Sequence, residues 1–215
     1  MRRLYFIFIC LILFGCSSNH NYIIPFDIEK NFPDRKNGLT QNDINDWLRK
    51  MIIQMKINTE GKKIPIIQVF ETNGKSVSLN NMINQKTFIY ATDSHCSWGL
   101  DILEEDLPNT IEKLKGDSIE LFTIALLVRD EMDSNEIKSF NKLIDNVKIK
   151  YKHFYIIERK DAKRLNIMNA TKLLIDSEQN VISWNIGASL DPNGLYNELK
   201  NKLLLTNLQP PQNQR

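Results

Sequence analysis

Residues Lys86 to Gly99 read KTFIYATDSHCSWG. Thr87 to Ala91 has the apolar, β-branched and aromatic character of a buried strand. Thr92 to His95 is a short polar loop, Cys96 follows, and a helix begins at about Trp98. A cysteine where a strand hands over to a helix meets free backbone N–H groups and the positive end of the helix dipole, both of which favour a thiolate. The residue three after Cys96 is Gly99, so half of a Cys-x-x-Cys arrangement is present.

Outward from this stretch, the pattern is that of one α/β domain. The helix after Cys96 extends to Leu114 with an apolar stripe at Leu100, Leu103, Leu107, Ile111 and Leu114, and Pro108 predicts a kink in its middle. Ile119 to Val128 is a nearly continuous apolar run, as in a strand covered on both faces. Helices are expected at Asp133–Val147, Lys160–Leu165 and Pro192–Leu204, and strands at Tyr151–Ile157, Thr171–Ile175 and Val181–Ile186. Before the stretch, Ile64–Phe70 and Val77–Leu79 flank the hairpin signal Asn73-Gly74. Further upstream, Thr40 and Asp43 form a capping box for a helix whose apolar residues are Trp47, Leu48, Met51, Ile52 and Met55. Such a stripe is expected to pack on its own domain. The order of elements implies a central mixed β-sheet with helices on both faces and an N-terminal helical extension.

These features resemble the thioredoxin superfamily, in particular the TlpA-like and redoxin-type thiol-disulfide proteins of bacterial envelopes. The resemblance runs from Ile64 to Leu204 and includes the Gly74-Lys75 turn and the Ser78-Leu79 exit of the small hairpin. It implies a thioredoxin-like fold with Cys96 as the nucleophile. It also puts Gly99 where the resolving cysteine stands, so a mixed disulfide on Cys96 would have no internal thiol to open it. A second family element, a cis-proline before the strand facing the site, matches Asn169-Ala170-Thr171 with Ala170 in the proline's place. A cis bond before a non-proline residue costs about 3–4 kcal/mol, so a trans bond is expected there. The resemblance thereby marks Trp98, Ala170 and Thr171 as substrate-binding candidates. His95, beside Cys96, is a candidate activator of the thiol, since an imidazolium favours a neighbouring thiolate. Cys96 packed as a small apolar residue is the alternative.

The beginning of the chain, MRRLYFIFICLILFGC, joins two arginines to an apolar run from Leu4 to Phe14 that is too short to span a bilayer. Leu13-Phe14-Gly15-Cys16 resembles a bacterial lipobox, which implies cleavage before Cys16 and lipidation of its thiol. The expected organisation is a signal peptide 1–15, a lipid-anchored tether and irregular wrap 16–38, a helical extension 39–63, a thioredoxin-like domain 64–205 and a disordered tail 206–215. The anchor predicts a periplasm-facing lipoprotein of the cell envelope, on the outer membrane in preference to the inner. Of the three cysteines, Cys10 would leave with the signal and Cys16 would carry lipid, so Cys96 alone keeps a thiol.

Several functions are excluded or disfavoured. The formal charge is +2, and removing residues 1–15 leaves 26 basic and 26 acidic residues, which is no nucleic-acid surface. A Pro-x-x-x-Thr/Ser-x-x-Cys peroxidase loop fails at both places, which hold Ile89 and Asp93. His20, His95 and His153 lack metal-ligand spacing, so neither a metal nor another cofactor is expected. Two functions remain: an accessory or binding protein with an envelope protein as partner, and a single-cysteine oxidoreductase served by an external thiol.

Overall fold

The computed structural model describes residues 21–33, 38–93, 95–130, 153–187, 191 and 193–208. The expected signal peptide, Cys16, the Asp133–Val147 helix and residues 209–215 of the expected tail lie outside these residues, whereas residues 206–208, also expected in the tail, continue the last helix. The described chain begins with a one-turn helix α1 (Ile28–Asn31) and a long helix α2 (Gln41–Thr59). Strands β1 (Gln68–Phe70) and β2 (Ser76–Ser78), a 3-10 turn at Asn80–Met82 and strand β3 (Thr87–Asp93) follow. Then come α3 (Ser97–Asp101), a π-helical turn (Ile102–Asp106), α4 (Leu107–Gly116) and β4 (Phe122–Arg129). The last elements are β5 (Phe154–Glu158), α5 (Arg159–Arg164), β6 (Thr171–Ile175), β7 (Val181–Ile186) and α6 (Gly194–Leu208).

The strands form one mixed sheet in the order β2-β1-β5-β4-β3-β6-β7. β3, β4 and β5 are parallel, and the remaining pairs are antiparallel. β3 is central, paired to β4 at Ala91↔Leu126 and to β6 at Ala91↔Thr171, and all seven of its residues are buried. Its side chains alternate between two cores. Ile89 and Ala91 join Met51 and Met55 of α2, Ala162 of α5 and Trp184 of β7 on one face. Phe88 and Tyr90 join Leu103, Leu107, Leu114 and the α6 residues Leu195, Leu199 and Leu203 on the other.

Trp47, Met51, Ile52 and Met55 of the α2 stripe therefore pack against their own domain, as the spacing predicts, whereas Leu48 is left exposed. Both halves of its capping box are made, with the Asp43 N–H donating to Thr40 Oγ1 at 3.2 Å and the Thr40 N–H to Asp43 Oδ2 at 2.9 Å. The irregular wrap before α2 is also fixed, since Ile23 is buried and its N–H donates to the Lys63 carbonyl at 2.9 Å. Buried Asn166 ties the wrap to the domain. Its Oδ1 accepts the Phe26 N–H at 2.7 Å, and its Nδ2 donates to the Ile24 carbonyl at 3.0 Å and to Thr59 Oγ1 at 2.9 Å.

Two elements depart from the expected pattern. The strand predicted over Ile64–Phe70 enters the ladder only at Gln68, although Ile64 and Ile67 are both buried. Pro65 lacks the N–H a ladder needs, so this stretch stays out of the regular ladder and bonds only at its ends, the Ile64 N–H donating to the Gln179 carbonyl and the Ile67 carbonyl accepting the Leu79 N–H, each at 3.0 Å. The predicted kink at Pro108 is absorbed by the π-helical turn just before it, where the Leu107 N–H reaches back five residues to the Ile102 carbonyl. Proline crowds the carbonyl four residues earlier, and one wider turn relieves that without ending the helix.

Candidate functional site

The C-terminal ends of the parallel strands β3, β4 and β5 converge on one edge of the sheet, and the quoted stretch turns over that edge. Cys96 is the N-cap residue of α3, its carbonyl accepting the Leu100 N–H at 3.0 Å. Its own N–H donates to the Asp93 carbonyl at 3.1 Å, which closes the turn out of β3. The thiol is free and half-buried, and the side chain makes no capping hydrogen bond.

Beneath this turn lies Asp93, a nearly buried carboxylate on the last residue of β3. Oδ1 accepts the His95 N–H at 2.9 Å and faces His95 Nδ1 at 3.0 Å, while Oδ2 accepts from Arg159 Nη2 at 2.6 Å. Arg159, the first residue of α5, also donates through Nε to Asp130 just past β4. Burial opposes ionisation of Asp93, but the His95 N–H, the Arg159 guanidinium and the His95 ring together outweigh it and hold the carboxyl below its ordinary range. The hydrogen bonds to Asp130 and Asp93 hold Arg159 above its own. The His95 side chain is 88% exposed and turns Nδ1 toward Asp93.

On the other side of the cysteine, Gly99 is buried against β3. A β-carbon built there would lie 1.9 Å from Thr92 Oγ1, 2.9 Å from Thr92 Cβ and 3.3 Å from Cys96 Sγ. Thr92 is itself fully buried, and its branched side chain has little freedom to withdraw. The Tyr90 hydroxyl donates to the Gly99 carbonyl at 3.2 Å, fixing the first turn of α3 from below. Position 99 thus has no room for a side chain of any kind while Thr92 stands where it does.

The structure brings the remaining candidates to the same edge. Trp98 is 50% exposed on the first turn of α3, and the tip of its ring approaches Gly187 just past β7, where a β-carbon built on that glycine would lie 3.9 Å from Trp98 Cη2. The Gly187 N–H donates to the Ala170 carbonyl at 3.0 Å, which connects the tryptophan to the start of β6. Ala170 and Thr171 are both fully buried, and Thr171 Oγ1 is engaged by the Met168 backbone at 2.8 Å. What this segment can offer a ligand is therefore backbone. Every peptide bond among the described residues is trans, and Ala170 has a left-handed backbone with φ +57°. Among the described residues, no group of three His, Cys, Asp or Glu side chains stands close enough to hold a metal ion.

Neither a protein-family model nor a curated protein matches the chain. Solved structures do. A protein named as an electron transfer protein from Aquifex aeolicus VF5 superposes with a TM-score of 0.52 at 15% identity, over 73% of this chain and 99% of its own. A protein named as thiol:disulfide interchange protein DsbE from Chlorobium tepidum gives 0.51 at 14% identity, over 68% and 96%. Arabidopsis thaliana ScoI, solved with copper bound, gives 0.51 at 13% identity, over 66% and 98%. This chain has the thioredoxin-like fold. At these identities the likeness carries the architecture and not the chemistry.

Within the thioredoxin-like fold, the sequence reading located Cys96, His95, Trp98, Ala170 and Thr171 around one edge. It did not assign roles to Thr92, Asp93, Arg159 or Gly187. Asp93 carried a usable signal, because a carboxylate closing a fully buried strand needs partners. Arg159 carried none, lying 66 residues from the carboxylate it pairs with.

Proposed function

We propose that this protein is an exported, lipid-anchored thioredoxin-fold protein that performs no dithiol exchange and serves as a binding or accessory protein of the cell envelope. The observation that supports it best is the contact between Thr92 and Gly99. A resolving cysteine is missing by sequence, and its place is filled by a packed threonine rather than left empty. The exposed Trp98, whose ring tip approaches Gly187, offers a partner protein an aromatic contact at this end of the sheet. The Cys16 lipid would hold this domain on the periplasmic side, with the outer membrane favoured.

A second reading rests on the half-buried thiol of Cys96 at the head of α3. In it the Cys96 thiolate attacks a partner disulfide, one partner sulfur leaves as a thiolate, and an external thiol then displaces Cys96. Insulin reduction in dithiothreitol separates the two. Wild-type and Cys96→Ser proteins are expected to match the rate of reductant alone. Acceleration that depends on Cys96 would overturn the binding reading in favour of the single-thiol enzyme.

A further inference from the structure

An apolar patch lies at the end of the sheet remote from Cys96. Tyr22, Ile24, Ile53 and Ile57 are 55%, 38%, 53% and 63% exposed. Ile53 and Ile57 stand one turn apart on α2, and the Ile24 N–H donates to the carbonyl of the next residue, Asn58, at 3.1 Å. Tyr22 pairs with Lys63, which in turn pairs with Asn180 just before β7. β7 begins beside the end of β6, and the end of β6 pairs with Thr87 at the start of β3. The patch thus belongs to the sheet end where β3 begins, whereas Cys96 follows the end where β3 finishes. Seven residues of β3 separate the two ends by about 20 Å.

The chain emerges from this same end. The Lys63 N–H donates to the Asn21 carbonyl at 2.6 Å, so the backbone is held in the fold from Asn21 onward. Five residue steps from Cys16 to Asn21 span at most about 18 Å when fully extended. If Cys16 carries lipid, the Tyr22 end cannot stand far from the bilayer. The surrounding charge fits the same neighbour. Between Asp46 and Lys63 the sequence holds five basic residues against two acidic ones, and Arg49, Lys50, Lys56 and Lys63 are all exposed. A basic, partly apolar helix face is suited to a surface of anionic headgroups. No described helix is long and apolar enough to cross a membrane, so α2 would lie against that surface.

We infer that the face formed by Tyr22, Ile24, Ile53 and Ile57 docks on the bilayer that holds the Cys16 lipid, leaving the Cys96 edge facing away from the membrane. This rests on the anchoring reading given above. The test places an environment-sensitive fluorophore on Ile53→Cys, Ile57→Cys or Leu205→Cys, each with Cys96→Ser, in the full lipidated chain. Vesicles of phosphatidylethanolamine and phosphatidylglycerol carry a nitroxide-bearing lipid as quencher. All three positions are exposed, so the labels leave the core intact, and Leu205 lies on α6, which covers the opposite face of the sheet. Blue-shifted emission and loss of signal to the lipid quencher are expected at 53 and 57 and not at 205. Membrane-bound protein with 53 and 57 as accessible to water as 205 overturns the docking and leaves the anchor standing. A blue shift without lipid quenching overturns it in favour of a protein occupant. An unmodified Cys16 by mass overturns both.

Discussion

The Thr92 hydroxyl stands 1.9 Å from where a β-carbon at position 99 would sit, so the two residues function as a pair. Threonine on the strand fills space that glycine on the helix concedes. Their spacing of seven residues, across a strand end, a turn and a helix start, gives no periodic clue that they touch. Asp93 is similar in kind, because its partners are a loop residue and an arginine from α5. Its ordinary carboxyl value is 3.8, and the fold lowers it. A carboxyl lowered by folding contributes stability above its unfolded value and loses that contribution as pH falls through the folded value. Urea unfolding across pH is therefore expected to show Asp93→Asn less stable than wild type by a constant amount above about pH 5, with the gap shrinking below 3.8. A gap that does not change with pH would assign the loss to hydrogen-bond geometry instead of charge.

At the scale of elements, the stretch between α5 and β6 is held by backbone conformation as much as by packing, with two left-handed residues, Asn166 and Ala170. Ala170 sits at φ +57°, a region costly for an L-residue, directly before β6. Proline fixes φ near −65°, so Ala170→Pro cannot adopt the backbone conformation found here. It is expected to lower stability by more than about 1 kcal/mol in chemical denaturation. An unchanged midpoint would show that the loop rearranges freely. Asn166 has the same left-handed backbone, with φ +52°, and joins the N-terminal wrap, α2 and β7, the last through its carbonyl, which accepts the Trp184 Nε1–H at 3.1 Å. Asn166→Ala leaves the Phe26 N–H and the Ile24 carbonyl without their partner and should cost about 2–3 kcal/mol. A thermal melt close to that of wild type would contradict that role.

Across the whole molecule, the sheet was readable because its signals are local. The apolar run through Phe88, Ile89 and Tyr90, the Asn73-Gly74 turn and the Thr40–Asp43 cap each act within a few residues of themselves. The candidate site was readable only in part. Cys96 and Trp98 announce themselves by type and position, but Arg159 meets Asp93 and Gly187 meets Trp98 only once the sheet has formed. The π turn before Pro108 was likewise hidden, since proline predicts the disturbance and not its form. The resulting molecule keeps a thioredoxin-like scaffold while leaving no room for a side chain three residues after Cys96.

Free-thiol counting on Gly99→Cys tests that closure most directly, in a chain beginning at Ser17 whose only other cysteine is Cys96. With Thr92 in place, the new side chain has no unstrained position in which to meet the Cys96 sulfur. After mild oxidation both thiols are expected to remain free, in a protein destabilised by about 1–3 kcal/mol through overpacking. A closed disulfide between residues 96 and 99, formed at wild-type stability, would contradict the account.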